Sequence, residues 1–297
     1  MHIKLRTEKK ITTILFLSLP FLLFAVFYFY PIGYTIFLSL HEWNGISPTK
    51  TPVGLANYAF IFKNYQFRIS LGNTIKWLII YVSCVTASGL SLALLLEKKI
   101  RGSALFETII FLPTTIMLIA AGAMWRWLYN PHYGFINIAL RKLGLDALTL
   151  VWLGDPKIAT YSIMICAIWS GVGLAFVLYL AGLNNIPPEY GEAARIDGAS
   201  FPQLFRHIIW PMLAPANAVV IAMMALRAIK VFDIVYVLTN GGPGYSSSVL
   251  AFFMYDTSFA RGQFGRGAAI ATILFLVSAL IIGPYLLYSV RKVEAIR

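Results

Sequence analysis

The chain has 297 residues, with 24 Lys and Arg against 12 Asp and Glu, for a net charge of +12. Hydrophobic residues make up 59% and charged residues 12%, with a mean hydropathy of +0.75. Soluble domains carry about 25% charge, so two soluble domains are excluded and one helical membrane domain is the economical reading. The positive balance is assigned to loops that meet anionic lipid headgroups and set topology, with no nucleic-acid partner.

A basic tail, residues 1–10 (MHIKLRTEKK), precedes an apolar run at 11–40. That run is far longer than a signal-peptide core, so it is read as an uncleaved first span. Further runs at 73–96, 104–128, 159–183, 211–230 and 267–290 are long enough, or nearly so, to cross the hydrocarbon at 1.5 Å per residue. None shows the alternation of a membrane barrel, and lipid cannot satisfy open backbone groups, which leaves helices. The basic segments KLRTEKK, EKKIRG and RKVEAIR put both termini and the loop between spans two and three on the cytoplasmic side. The opposite loops, near 41–72, 129–158 and 231–266, are longer, carry Lys and Arg more sparsely and hold many turn formers. Trp43, Trp125, Trp127 and Tyr129 fall where an aromatic belt lies. Cys84 and Cys166 sit singly inside apolar runs and read as small buried hydrophobes, with no disulfide or metal framework. His2, His41, His132 and His207 show no ligand spacing and read as surface residues; no catalytic triad, carboxylate pair or metal site is visible.

Between spans four and five lies NNIPPEYGEAARIDGASFPQLFRHIIWP, from 184 to 211. It reads as two short helices joined by a turn. Asn185 is expected to cap the first, with Pro187 or Pro188 at its opening positions. Glu189 and Glu192 share one face near its positive end, and Ala193 and Ala194 allow a partner surface to approach. Asp197 and Gly198 stop it, with Gly198 at positive φ. Ser200 caps the second segment, and Pro202 lies in its first turn. A docking knob for a cytoplasmic protein competes with an amphipathic helix lying on headgroups; two carboxylates facing anionic lipid favour the knob.

The fourth span contains AIWSGVGLAF, where Ser170 and Gly171 beside Trp169 suit either a sugar or close helix packing. The fifth ends in MMALRAIKVFDIVY. Charges so close to a membrane point to function, although Arg227 snorkelling to the interface and a Lys230–Asp233 pair at i,i+3 are the plainer alternatives.

EAARIDG, nine residues, then IIWP resembles the EAA loop of the membrane subunits of binding-protein-dependent ABC importers, with Trp210 where Leu is usual. GLANYAFIF, FLPTTIMLIAAGAMWRWLYNPHYGFIN and KVFDIVYVLTNGGPG resemble the carbohydrate-uptake branch, on the side of the larger permease partner of maltose-type importers. The resemblance implies an all-α integral membrane protein of six transmembrane helices spanning 11–290, with a cytoplasmic coupling-helix loop at 185–210 between helices four and five and cytoplasmic tails at 1–10 and 291–297. It implies a heterodimer with a second permease subunit in the bacterial or archaeal cytoplasmic membrane. Cytoplasmic ATP-binding subunits and an extracytoplasmic solute-binding protein complete the partners. ATP and Mg belong to those ATPase subunits; this chain holds no cofactor and has no P-loop, since NGGPGYSSS lacks the Lys. By the same resemblance, Glu189, Glu192, Ala193, Ala194, Asp197 and Gly198 form the coupling surface, with Glu192 pairing with a basic group in the ATPase cleft. Thr114, Leu118, Ala167, Ser170, Gly171, Met224, Arg227 and Ala228 line the sugar site, Arg227 standing where a small residue is common. A self-contained secondary transporter or channel is the alternative, and it would need no ATPase.

Overall fold

The computed structural model describes residues 16–97 and 102–294. The tail 1–10, the start of the first span at 11–15, the basic core of EKKIRG and the last residues of RKVEAIR, together with His2, lie outside the described residues. Helix dominates; the strands among the described residues are the two-residue pair His41–Glu42 and Thr51–Pro52.

Four unbroken helices are long and apolar enough to cross a membrane: Phe16–Ser39, Tyr65–Leu96, Ala159–Asn184 and Phe264–Ser289. Two more spans are bent pairs, Ser103–Thr115 with Leu118–Leu128 at 99° and Phe201–Met212 with Ala214–Ile229 at 72°. Counting each pair as one span gives the six expected from hydropathy. The bends have local causes. Pro113 lies inside the first half of span three, and Ile116 and Met117 run extended with ψ of 130° and 134°. In span five, Leu213 leaves helical geometry at ψ 2° and Pro215 opens the next helix, a position where its missing N–H is harmless. Span two begins at Tyr65, earlier than hydropathy suggests, because Asn64 Oδ1 accepts the Gln66 N–H at 2.8 Å.

The described residues divide into two units. In the first, 16–63 with 254–273, the Asn57 amide donates to the Ser39 and His41 carbonyls at 2.9 and 3.0 Å. This bond pair ties the helix Ala56–Lys63 to the end of span one. Lys50 lies over the Trp43 ring and Arg266 over Phe60.

In the second unit, 64–253 with 274–294, span four is the axis. Spans two, three and five pack on it around Trp77, Val85, Met164, Phe176, Tyr179 and Met224. Most polar groups inside are paired, as burial demands; Trp77 Nε1, Thr86 Oγ1 and Ser246 Oγ are exceptions. The Tyr179 hydroxyl donates to Asn217 Oδ1 at 2.8 Å, and the Tyr285 hydroxyl donates to the Asn217 carbonyl at 3.2 Å; one residue thus links spans four, five and six. Tyr129 departs from the aromatic-belt expectation. It is 2% exposed, stacks on Trp152 and donates to the Ser162 carbonyl at 2.8 Å, because the ring has an interior partner for its hydroxyl. Trp125 likewise packs edge-on against Trp169, while Trp127 is exposed. Cys166 is buried but Cys84 is exposed, because it lies on an open face of span two; neither cysteine is in a disulfide.

The segment TNGGPGYSSS is held against spans two and four by buried bonds. The Asn73 amide donates to the Ser246 and Ser248 carbonyls at 2.6 and 2.9 Å, Ser70 and Ser248 hydroxyls meet at 2.8 Å, and Thr160 donates to the Ser246 carbonyl at 3.0 Å. Asn73→Ala leaves two buried carbonyls without this donor, at a cost of about 1–3 kcal/mol. Thermal unfolding of the purified protein in detergent is expected to shift downward for this variant and to be unchanged for Lys63→Ala, an exposed position on another helix.

Candidate functional site

The loop between spans four and five carries the first candidate site. Span four continues to Asn184, and Asn185 closes it, its N–H bonding to the Gly182 and Leu183 carbonyls. Asn185 therefore ends the preceding helix instead of capping the loop helix, because the apolar helix propagates through the position where a cap was expected. The loop helix is Pro188–Ile196, entered through Pro187 in an extended conformation.

Its end is a Schellman turn. Gly198 has φ +78°, its N–H bonds to the Arg195 carbonyl at 3.1 Å, and the Ala199 N–H bonds to the Ala194 carbonyl at 2.9 Å. The chain then restarts as Phe201–Met212, with the Ser200 N–H donating to Gln203 Oε1 at 2.8 Å, one half of a capping box.

This geometry sorts the expected residues by face. Glu189, Glu192, Ala193, Asp197 and Gly198 are exposed, whereas Ala194 is half-buried against the core. Glu189, Glu192, Ala193 and Ile196 follow the i, i+3, i+4, i+7 pattern of one helix face. Sequence reasoning missed Ile196. It is 86% exposed, four residues after Glu192, and that spacing was the available signal. The outward face therefore offers two carboxylates, a small methyl and one bare aliphatic side chain: the makings of a protein-docking surface, with an acidic contact point beside an apolar one.

The second candidate site is a cavity of about 340 Å³ in the 64–253 unit, lined by Thr114, Leu118, Ala167, Ser170 and Arg227 from the expected set. The bend in span three builds its wall. The Thr114 hydroxyl donates to the Ser170 carbonyl at 2.9 Å, and Ser170 Oγ donates to the Pro113 carbonyl at 3.4 Å. The other three expected residues lie outside that lining. Met224 and Ala228 are fully buried, the Tyr81 hydroxyl donating to Met224 Sδ at 3.7 Å, and Gly171 packs against that same hydroxyl.

The cavity also recruits Trp77, Tyr81, Lys230, Phe232 and Asp233. No ion pair joins Lys230 to Asp233 among the described residues. The reason is a helix break: span five ends at Ile229, Lys230 is its C-cap, and Asp233 begins the helix Asp233–Thr239. The i,i+3 rule holds only within a continuous helix. No cluster of three or more His, Cys, Asp or Glu residues with metal-holding geometry is found among the described residues.

Six helical spans, a short helix between the fourth and fifth, and a cavity at a broken helix define a membrane permease domain. The model of the family described as binding-protein-dependent transport system inner membrane component matches residues 10–292, and the chain belongs to this family. It is 39% identical over 281 residues to a probable ABC transporter permease of Pyrococcus horikoshii, covering 95% of this chain and 96% of that protein. It is 36% identical over 255 residues to a trehalose/maltose transport system permease of Thermococcus litoralis, covering 85% and 84%. It is 31% identical over 277 residues to a xylose/arabinose import permease of Haloferax volcanii, covering 93% and 87%. Among solved structures, a bacterial ABC transporter for import of the acidic polysaccharide alginate has a chain of the same fold, with a TM-score of 0.81, 21% identity and coverage of 96% and 99%.

Proposed function

We propose that this chain is the permease subunit of an ATP-driven importer that moves a sugar or oligosaccharide across the cytoplasmic membrane by alternating access. The observation that carries the proposal is the loop helix, rigidly ended by the Gly198 turn and presenting Glu189, Glu192, Ala193 and Ile196 on one exposed face. It is the face on which cytoplasmic ATP-binding subunits dock, with Glu192 pairing with a cation in their cleft. Closure of the ATPase dimer pushes the helix as a rigid body, and the motion enters spans four and five at Asn184 and Phe201. A charge-assisted contact at a partly buried interface is stronger than an exposed pair. ATP and Mg act on the partner subunits, and this chain supplies no catalytic group. A second permease subunit forms the other half of the pathway, a solute-binding protein delivers cargo from outside, and both termini are cytoplasmic. The trehalose/maltose and xylose/arabinose relatives support a saccharide cargo.

Reconstitution into liposomes tests this reading. With its partner permease, ATPase subunits and binding protein, the chain is expected to give sugar uptake that requires ATP; alone it is expected to give none. Uptake by the chain alone, driven by an ion gradient, supports a self-contained secondary transporter and overturns the proposal.

A further inference from the structure

A neutral sugar needs neither a guanidinium nor an ammonium group on its cavity wall. Arg227 and Lys230 both line the cavity and both are exposed. Among the described residues neither forms an ion pair with a carboxylate. Cations beside hydrocarbon are costly and persist where they serve a function. Two aromatic residues complete this part of the wall. Tyr81 lines the wall with its ring, its hydroxyl being engaged by Met224 Sδ. Trp77 is 1% exposed, and its indole Nε1–H has no acceptor in the structure. That nitrogen is closed off from solvent, so Trp77 offers the cavity an aromatic wall and no reachable donor.

Asp233 is the one carboxylate on the wall. It sits in the first turn of its own helix, where free backbone N–H groups favour a negative charge. The cavity is thus cationic in balance, with Arg227 and Lys230 set against one acid. Its aromatic walls suit the apolar faces of sugar rings, and its volume is at the small end of ligand pockets.

We propose that this cavity takes a small saccharide carrying an anionic group, a carboxylate or a phosphate ester, with Arg227 and Lys230 holding the charge. The assignment rests on the importer reading above and names the cargo class of that same cavity.

The test is equilibrium binding to the assembled complex in nanodiscs, with the solute-binding protein left out so that the permease cavity is what is read. The probes are digalacturonate against its neutral dimethyl ester, and glucose 6-phosphate against glucose. The charged member of one pair is expected to bind at least about tenfold more tightly, as befits a charge-assisted contact; which pair shows the preference identifies carboxylate or phosphate. Arg227→Gln and Lys230→Gln are each expected to remove most of that preference, and Arg227→Lys to keep it. Equal binding within both pairs overturns the assignment and leaves the sugar-importer reading standing. Equal weakening of charged and neutral members by Arg227→Gln also overturns it, by showing that Arg227 acts on the wall and not on the charge. Failure of all four probes to bind overturns it too, while ATP-coupled uptake decides the importer reading separately.

Discussion

Gly198→Val abolishes ATP-coupled uptake by the assembled importer while the chain still inserts and folds. Gly198 sits at φ +78°, and a Cβ built there meets nothing within 4 Å. Space is therefore not the obstacle; backbone conformation is. A left-handed residue with a side chain costs roughly 1–2 kcal/mol, and a β-branched one is a genuine outlier there. The turn is held by the Gly198–Arg195 and Ala199–Ala194 bonds. A penalty of this size disfavours the turn by roughly five- to thirtyfold, since 1.4 kcal/mol is a factor of ten. The loop helix then frays at the end nearest Ile196 and no longer transmits a push. Gly198→Asn is the control, because Asn visits the left-handed region; it retains most of the uptake. Uptake per ATP hydrolysed, compared across wild type, Gly198→Asn and Gly198→Val, checks the prediction.

Gly173→Ala has the second large effect, and its mechanism is the reverse. Here the backbone is an ordinary helix, but a Cβ would lie 2.5 Å from Thr114 Oγ1, 2.6 Å from the Ile110 carbonyl oxygen and 2.9 Å from Phe111 Cα. Two of these are backbone atoms and cannot rotate away. Overpacking typically costs 1–3 kcal/mol, and relief here requires span three to move off span four. That movement breaks the Thr114–Ser170 bond and displaces the cavity wall. A single methyl is therefore expected to lower stability by about 2 kcal/mol and to weaken ligand binding in the cavity. Gly72→Ala, a helical position with nothing within 4 Å, is expected to be neutral or stabilising by about 0.5–1 kcal/mol. Thermal melts of the two variants in detergent, with binding measured on the same samples, check the contrast.

The hydropathy of the chain located the spans because lipid leaves no alternative to continuous helix. It did not show where spans three and five bend. Pro113 and Pro215 are written plainly in the sequence, but how far a Pro bends a span depends on what packs behind it. The loop turn was legible down to single residues, since Asp197, Gly198, Ser200 and Pro202 act through bonds to their immediate neighbours. Asn185 was misread because the same residue type serves either helix end, and the length of span four decides which. The cavity was half legible. Thr114, Leu118, Ala167, Ser170 and Arg227 come together on its wall, whereas the helical faces carrying Met224 and Ala228 turn into the core. Trp77 gave no signal: an aromatic inside an apolar run looks alike whether it faces lipid, core or ligand. The plainer alternative for Lys230 and Asp233, a pair on one helix, does not form, because a break after Ile229 separates them and leaves both on the cavity wall.

A photoreactive side chain placed at Ile196 in the assembled importer tests the coupling role most directly. The expected result is an adduct with the ATP-binding subunit whose yield changes when ATP is added, with no such adduct from the same probe at Leu276, an exposed residue of span six. Adducts from Ile196 to lipid alone, with or without ATP, would contradict the account.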